Sequence, residues 1–228
     1  MAAQQTQWYP RREFGDAKVA TVSTPLDQIV VLHDVSWQTY LKLLHDLADS
    51  SAPRLAYDRG RLTIMSPTGE HEELNRTLSL FVEVAAEEMR INVRNLGSMT
   101  FKLKELQRGF EPDSCFYVKN AAAVKGKRRI DLEHDPPPDL LIEIDITSSS
   151  LKKDPFYAEI GVPEIWRYDG NELSISRLKG GAYASVDRSV EFPLLTARVL
   201  SEFLAKSWSA ERLELLKTFR NWLRDERA

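Results

Sequence analysis

The segment Asp139–Thr147 constrains the fold most, because it reads DLLIEIDIT, an almost continuous aliphatic run that two acids interrupt. Side chains alternate across a strand, so one face would carry only aliphatic residues, namely Leu140, Ile142, Ile144 and Ile146. The other face would carry Glu143 and Asp145 side by side, roughly 7 Å apart along the strand. Such a segment is typical of a strand buried in the middle of a sheet.

The segments on either side alternate between helical and strand-like patterns. Apolar residues recur at helical spacing after Ser36 and again after Thr68, and the second run has the stripe Leu74, Leu78, Phe81 and Ala85. Three short strands are predicted at INVRNL, MTFKLKE and DSCFYVK, and hairpin turns at Asp58-Arg59-Gly60 and Asp169-Gly170-Asn171. This order predicts an α/β (α+β) fold with a central mixed β-sheet flanked by helices.

The length of 228 residues suits one domain with short extensions. Residues 1–28 are polar and aperiodic, which predicts an extended N-terminal arm before a domain at residues 29–207. Residues 208–228 are predicted to form a C-terminal helix with the apolar stripe Leu213, Leu216, Phe219 and Leu223.

Charge and cysteine content exclude several classes of protein. The formal net charge of −3 argues against a chain coated with basic residues for non-specific DNA binding. Cys115 is the only cysteine, so an internal disulfide and a cysteine-rich zinc site are excluded. The first residues lack a signal-peptide pattern, and no apolar run approaches the roughly 20 residues of a membrane span. We therefore expect a cytoplasmic protein without a membrane segment.

The acids in the strand-like segments are the candidate chemistry. In DSCFYV, Asp113 shares a face with Cys115 and Tyr117. If this strand lies beside the strand of Glu143, the two carboxylates can converge on one hard divalent cation such as Mg²⁺. The alternative is that these acids face solvent at a sheet edge or pair with arginines such as Arg128, Arg129 and Arg167.

Two further groups of residues flank this candidate site. Lys153 follows Glu143 by ten residues and stands four before Tyr157, so both would lie on one helix face unless the helix begins only at Pro155. Glu70 and His71 lie in the first turn of the helix after Thr68 and border its buried stripe. Each also has an ordinary interpretation: a solvated lysine, an acid that complements the helix dipole, or a hydrogen-bonded structural histidine.

Residues 136–170, PPPDLLIEIDITSSSLKKDPFYAEIGVPEIWRYDG, closely resemble a bacterial restriction-endonuclease-like family of the PD-(D/E)XK superfamily. The shared pattern is Pro-Asp-Leu, a glutamate, a serine-rich turn, Lys-x-x-x-Tyr and Gly-Val-Pro-Glu-x-Trp. IMSPTGEHEEL and the Pro-Asp of FEPDSCFYV also fit, so the resemblance spans about residues 30 to 205.

The resemblance implies a restriction-endonuclease-like core, with Asp113 and Glu143 as metal ligands. The family motif would place a lysine at position 145, where this chain has Asp145. Lys153 is the candidate for a basic residue that has moved to the following helix, and Glu70 or His71 would supply the contribution of the first helix. Asp139 also follows a proline but would lie over 10 Å from Glu143, so Asp113 is preferred as the ligand.

The leading hypothesis is an endonuclease that needs Mg²⁺ or Mn²⁺ and hydrolyses DNA, in which the basic segment 125–129 (KGKRR) contacts the DNA backbone. A second hypothesis is a catalytically inactive protein of this fold that binds nucleic acid or acts in regulation. A third is a partner-binding protein that uses Leu213, Phe219 and Trp222 of the C-terminal helix, which could also form a homodimer.

Overall fold

The computed structural model describes residues 27–48, 52–146 and 153–227. Two predicted segments lie largely or wholly outside these ranges: the N-terminal arm and the serine-rich turn at 147–150, which includes Thr147.

Five helices are present in the described ranges, and most begin where the sequence provides a capping side chain. Ser36 Oγ accepts a hydrogen bond from the backbone nitrogen of Thr39 at 3.1 Å, and Thr68 and Thr196 cap the next two long helices in the same way. The helices are α1 (Trp37–Asp46), α2 (Gly69–Met89), α3 (Asp154–Glu159), α4 (Ala197–Ser207) and α5 (Arg212–Asp225).

The strands form two sheets in the described part of the chain. The strands are β1 (Gln28–Leu32), β2 (Arg54–Asp58), β3 (Arg61–Ser66), β4 (Arg94–Gly97), β5 (Phe101–Leu103), β6 (Arg108–Phe110), β7 (Ser114–Tyr117), β8 (Leu140–Ile144), β9 (Glu164–Tyr168), β10 (Leu173–Lys179) and β11 (Ala182–Val186). The first sheet has the order β1-β3-β2-β6-β5 and the second β11-β10-β9-β8-β7-β4.

The second sheet is the predicted central sheet. It is mixed, because β8 pairs with β9 in parallel and with β7 antiparallel. Every residue of β8 is buried, as its composition predicts. Leu140, Ile142 and Ile144 pack into the large core against the helices, whereas Leu141 belongs to a second core that faces the first sheet. The prediction of a mixed sheet flanked by helices is therefore confirmed.

The helices α2 and α4 cover the outer face of this sheet, and α5 packs on both of them. The predicted stripe of α2 is buried, and Phe81 packs on Phe203 of α4 and Phe219 of α5. On α5 the predicted stripe is wrong at Leu213, which is 64% exposed, and the buried face begins at Leu215 instead. Phe219 is fully buried in the chain's own core, and the partly buried Trp222 ring stacks on it.

The first sheet was not predicted as a separate layer. Its hairpin β2–β3 turns at Arg59 and Gly60, as expected, with φ of 45° and 96°. The strands β1 and β6 were missed, because the first falls at the end of the polar arm and the second has only three residues, RGF. This sheet covers the inner face of the central sheet, and α1 packs on its far side through Trp37 and Tyr40.

Of the helices in the described ranges, none combines the length and the apolar character needed to cross a lipid bilayer.

Gly109 in β6 tests the packing of α1 on the first sheet. A Cβ at this position would lie within 2.2 Å of the Tyr40 hydroxyl, and Tyr40 is fully buried. We predict that Gly109→Ala lowers the free energy of unfolding by about 1–3 kcal/mol, because overpacking forces side chains or backbone to shift. Urea denaturation followed by circular dichroism measures this change.

Gly69→Ala is the matched control, since a Cβ there would meet no described atom within 4 Å and alanine favours the helix. It should leave stability unchanged or slightly increased. Equal destabilisation by both substitutions would contradict the packing described for Tyr40.

Candidate active site

A pocket opens between the two sheets at the end of β8. The lining residues include five of the six sequence candidates, namely Asp113, Glu143, Asp145, Lys153 and His71. The cross-strand register explains why they meet: Ser114 stands opposite Ile142, which places Asp113 opposite Glu143 in the antiparallel pair. Side chains of directly opposed residues project from the same face of a sheet.

Asp113 is held from three sides. Its Oδ1 accepts from the Arg54 guanidinium and lies 2.9 Å from His71 Nε2, and its Oδ2 accepts from the backbone nitrogen of Ile144 at 2.6 Å. The Asn75 side chain of α2 donates to the Asp113 carbonyl oxygen at 3.0 Å. These contacts fix the carboxylate, which is 2% exposed, against the end of β8.

Glu143 receives one hydrogen bond on each oxygen. Lys153 Nζ donates to Oε2 at 2.6 Å, and the Tyr157 hydroxyl donates to Oε1 at 2.5 Å. Although α3 begins at Asp154, next to Pro155, both side chains still reach the same carboxylate. Burial and the charge of Glu143 raise the pKa of Tyr157 well above its ordinary value, so its hydroxyl stays protonated and donates.

Asp145 is the next acid along the chain. Its Oδ2 lies 2.7 Å from Arg167 Nε, and the same guanidinium reaches Asp154 at 2.6 Å. The alternative interpretation, in which an acid of this strand pairs with an arginine, therefore applies to Asp145 and Arg167. Burial and the nearby Glu143 charge nevertheless raise the pKa of Asp145 above its ordinary range.

The two candidate residues in the first turn of α2 differ in position: His71 lines the pocket and Glu70 does not. His71 is buried, with Nδ1 at 3.1 Å from Asp27 Oδ2 and Nε2 on Asp113. Glu70 does not line the pocket; it lies near enough to Tyr168 for its charge to help raise the pKa of that phenol. Of the two candidates, the structure brings only His71 into contact with Asp113.

The charges that line the pocket are unbalanced in favour of acids. Five carboxylates face it, from Asp27, Glu111, Asp113, Glu143 and Asp145, whereas its permanent cations are Arg54 and Lys153. Closely spaced buried carboxylates persist where cations compensate them. An additional divalent cation with oxygen ligands would suit this excess of negative charge.

Comparison with known families decides the relationship that these residues suggest. A family model described as "Uma2: Putative restriction endonuclease" matches residues 37–214. The chain belongs to the Uma2 family. The predicted relationship to restriction-endonuclease-like proteins is therefore confirmed, and it carries the nuclease assignment of that family.

A solved structure shares the Uma2 chain's fold. It is described as the "crystal structure of a putative nuclease belonging to DUF820 from Anabaena variabilis ATCC 29413". The similarity has a TM-score of 0.51 and 16% sequence identity, and it covers 75% of this chain and 99% of that one. No curated protein matches the sequence.

Asp139 has a structural role in this Uma2 chain and does not line the pocket. Its carboxylate accepts from the backbone nitrogens of Val118 and Asn120 at 2.7 and 3.0 Å, and from the Asn120 side chain at 3.1 Å. It therefore anchors the loop that follows β7. This agrees with the preference for Asp113 over Asp139 at the site.

An exposed group of possible ligands lies elsewhere, in the loop between β7 and β8. Ligand atoms of Asp131, Glu133 and His134 lie within 4.8 Å of one another, and all three residues are exposed. The His134 ring is paired with Asp131 at 2.8 Å, which raises the pKa of His134 above its ordinary value. This group is separate from the pocket between the sheets.

Two residues that line the pocket were not predicted from the sequence, namely Arg54 and Glu111. Arg54 pairs with both Asp113 and Glu72, and Glu111 accepts from the Leu55 nitrogen at 3.1 Å and the Thr100 hydroxyl at 2.6 Å. Arg54 stands at the first position of a short strand, where an arginine is ordinarily solvated, so nothing local marked it. Glu111 could have been noticed, because it precedes Pro112-Asp113.

Asp145→Asn tests the electrostatic strain in the pocket. Because the pKa of Asp145 is raised in the folded state, its ionisation favours unfolding, and this penalty is full above the folded-state pKa. We predict that the substitution stabilises the chelator-treated protein at neutral pH. The gain should shrink as pH falls and vanish below the ordinary pKa of 3.8, as urea denaturation at several pH values will show.

Asp58→Asn is a control of opposite sign. Burial acts to raise the pKa of Asp58, but hydrogen bonds from Arg108 and Arg59 outweigh it and hold that pKa below the ordinary value. This substitution should therefore destabilise the protein at neutral pH. A loss of stability in Asp145→Asn comparable to that in Asp58→Asn would contradict the proposed excess of negative charge.

Proposed function

We propose that this Uma2-family protein is a divalent-metal-dependent endonuclease that hydrolyses phosphodiester bonds of DNA. One observation carries the proposal: Asp113, directly before β7, and Glu143, on the paired strand β8, line one pocket, with Lys153 Nζ at 2.6 Å from Glu143 Oε2. Family membership supports the nuclease part of the proposal. The metal and the DNA substrate rest on the chemistry of the pocket.

The donor set fits Mg²⁺ or Mn²⁺. Asp113 and Glu143 would hold the ion, with Asp145 beside them, and all three offer the carboxylate oxygens that hard cations prefer. A carboxylate has about four lone-pair sites, so the present hydrogen bonds leave capacity for a ligand bond. When bound, such an ion polarises a phosphate and lowers the pKa of a coordinated water.

Lys153 takes the part of the basic residue that the family motif places at position 145. Its side chain is largely buried and points at Glu143, so it can stabilise negative charge on a phosphate at the same pocket. Although the motif position holds Asp145 instead of a lysine, the pocket still contains a lysine, Lys153. Asp145 adds a third carboxylate, which strengthens the attraction for a cation.

Arg54, His71 and Tyr157 are proposed as positioning residues. Arg54 and His71 hold Asp113, and Tyr157 holds Glu143, so each carboxylate keeps one orientation within the pocket. Such preorganisation keeps ligands at their productive geometry without reordering during the reaction.

We predict that Asp113→Ala and Glu143→Gln each abolish metal-dependent nicking of supercoiled plasmid. Loss of one carboxylate removes a proposed metal ligand and one of the negative charges that attract the ion. Lys153→Met should lower the rate by about 100-fold or more while the protein still binds metal, since loss of one charge-stabilising donor costs about 10²–10³ in rate. Gel analysis of nicking with Mg²⁺, Mn²⁺ and a chelator measures these effects.

Asp225→Ala is the control for the loss of one acid, because Asp225 is exposed in the last turn of α5. It should cleave like the parent protein. Nicking by purified Asp113→Ala protein at the parent rate would eliminate the proposed site.

A non-catalytic nucleic-acid-binding protein of the same fold is the second candidate. It is favoured by Asp145 at the motif position and by the engagement of both Asp113 oxygens within the chain. Binding of Mn²⁺ measured by calorimetry without any plasmid nicking would support it. Binding together with nicking would exclude it.

The place of metal binding has its own test. We predict that Asp113→Asn weakens Mn²⁺ binding at least tenfold, whereas Asp131→Asn in the exposed group leaves it unchanged. Isothermal calorimetry with both variants distinguishes them. The reverse result would move the metal site out of the pocket between the sheets.

A further inference from the structure

A second, larger groove lies between α1 and the loop that joins β7 to β8. One wall is formed by α1 residues such as Leu41 and Leu44, and the opposite wall by residues 128–133. Between them lie Met99 and β5. We call this the basic groove, because four cationic side chains line it: Lys102, Lys104, Arg128 and Arg129.

The four cations are exposed, and none of them forms an ion pair with a residue in the described ranges. This contrasts with Arg54, Arg108 and Lys153, each of which has an acidic partner. The acids on the groove are Asp131 and Glu133, and the first of these is paired with His134. The groove therefore has an excess of positive charge on a chain whose net charge is −3.

The loop that carries Arg128 and Arg129 is held in place by hydrogen bonds from β4 and by an ion pair. The Arg94 guanidinium donates to the carbonyl oxygens of Val124 and Lys127, and Lys127 pairs with Asp135. Of the basic segment 125–129, only Arg128 and Arg129 line the groove. These two guanidinium groups therefore lie on a loop that hydrogen bonds hold in place. An ordered loop loses less conformational entropy when it binds a ligand.

The basic groove and the candidate active site both border a third depression. A middle cleft shares Arg54, Glu111 and Asp113 with the catalytic pocket, and it shares Leu44 and Thr100 with the basic groove. A phosphate backbone held at the pocket would therefore have the four cations of the basic groove on one side of it, beyond the middle cleft.

We infer that the basic groove binds the phosphate backbone of the DNA on one side of the cleaved bond. The two large aromatic residues on its lining, Trp37 and Phe101, are 5% and 1% exposed, so bases cannot stack on them, and the one exposed ring is the imidazole of His45. The contacts are therefore electrostatic and largely independent of base sequence. This inference rests on the proposed function, since it takes DNA as the substrate of the pocket.

The test measures DNA binding in the presence of a chelator, so that no strand is cut. Fluorescence anisotropy with a labelled duplex over a series of NaCl concentrations gives the slope of log K against log salt. The pairs Arg128→Ala/Arg129→Ala and Lys102→Ala/Lys104→Ala should each reduce the magnitude of the slope by about 2, because each lost phosphate contact contributes about 0.9.

The pair Arg177→Ala/Lys179→Ala is the matched control. Both residues are exposed cations on β10, and neither lines the basic groove. This variant should keep the parent slope. A parent slope in both groove variants, an equal loss in the control, or no DNA binding by the parent protein would overturn the inference.

Failure of the inference and failure of the proposed function give different results. If the parent protein nicks plasmid but the groove variants keep its salt slope, the path is wrong and the nuclease proposal stands. If the groove variants lose slope as expected but no metal supports nicking, the DNA path stands and the catalytic proposal fails.

Discussion

The antiparallel pairing of β7 with β8 is the constraint on which the rest of the site depends. Ser114 pairs with Ile142, and the next residues in this register are Asp113 and Glu143. Both carboxylates line the pocket between the two sheets. Buried charges at this spacing destabilise a fold unless they are neutralised. The surrounding elements supply part of that neutralisation, with Arg54 from β2 and Lys153 at the start of α3, while His71 of α2 adds a hydrogen bond.

Much of this arrangement is predictable because it follows from strand periodicity. The aliphatic face of β8 and its acidic face are both visible in DLLIEIDIT, and the partner acid lies in a segment with the same alternation. Lys153 was predictable from its spacing to Tyr157. Both side chains reach Glu143 even though α3 is only six residues long.

What sequence patterns did not reveal depends on contacts between distant segments. Arg54 stands 59 positions before Asp113, and no local period marks a buried arginine. The first sheet was missed as a separate layer because β6 has only three residues and β1 follows a polar segment. The stripe of α5 was misplaced at Leu213, since several leucines satisfy a helical period and only packing against α2 selects Leu215.

The internal neutralisation of Asp113 has a consequence for the order of assembly. Some small metalloproteins fold only as they capture their ion, because their ligands repel one another without it. In this chain, the Arg54 guanidinium already pairs with Asp113, and the buried His71 ring, whose pKa is lowered by desolvation, adds a hydrogen bond rather than a positive charge. We therefore expect that folding does not depend on the divalent cation proposed for this site.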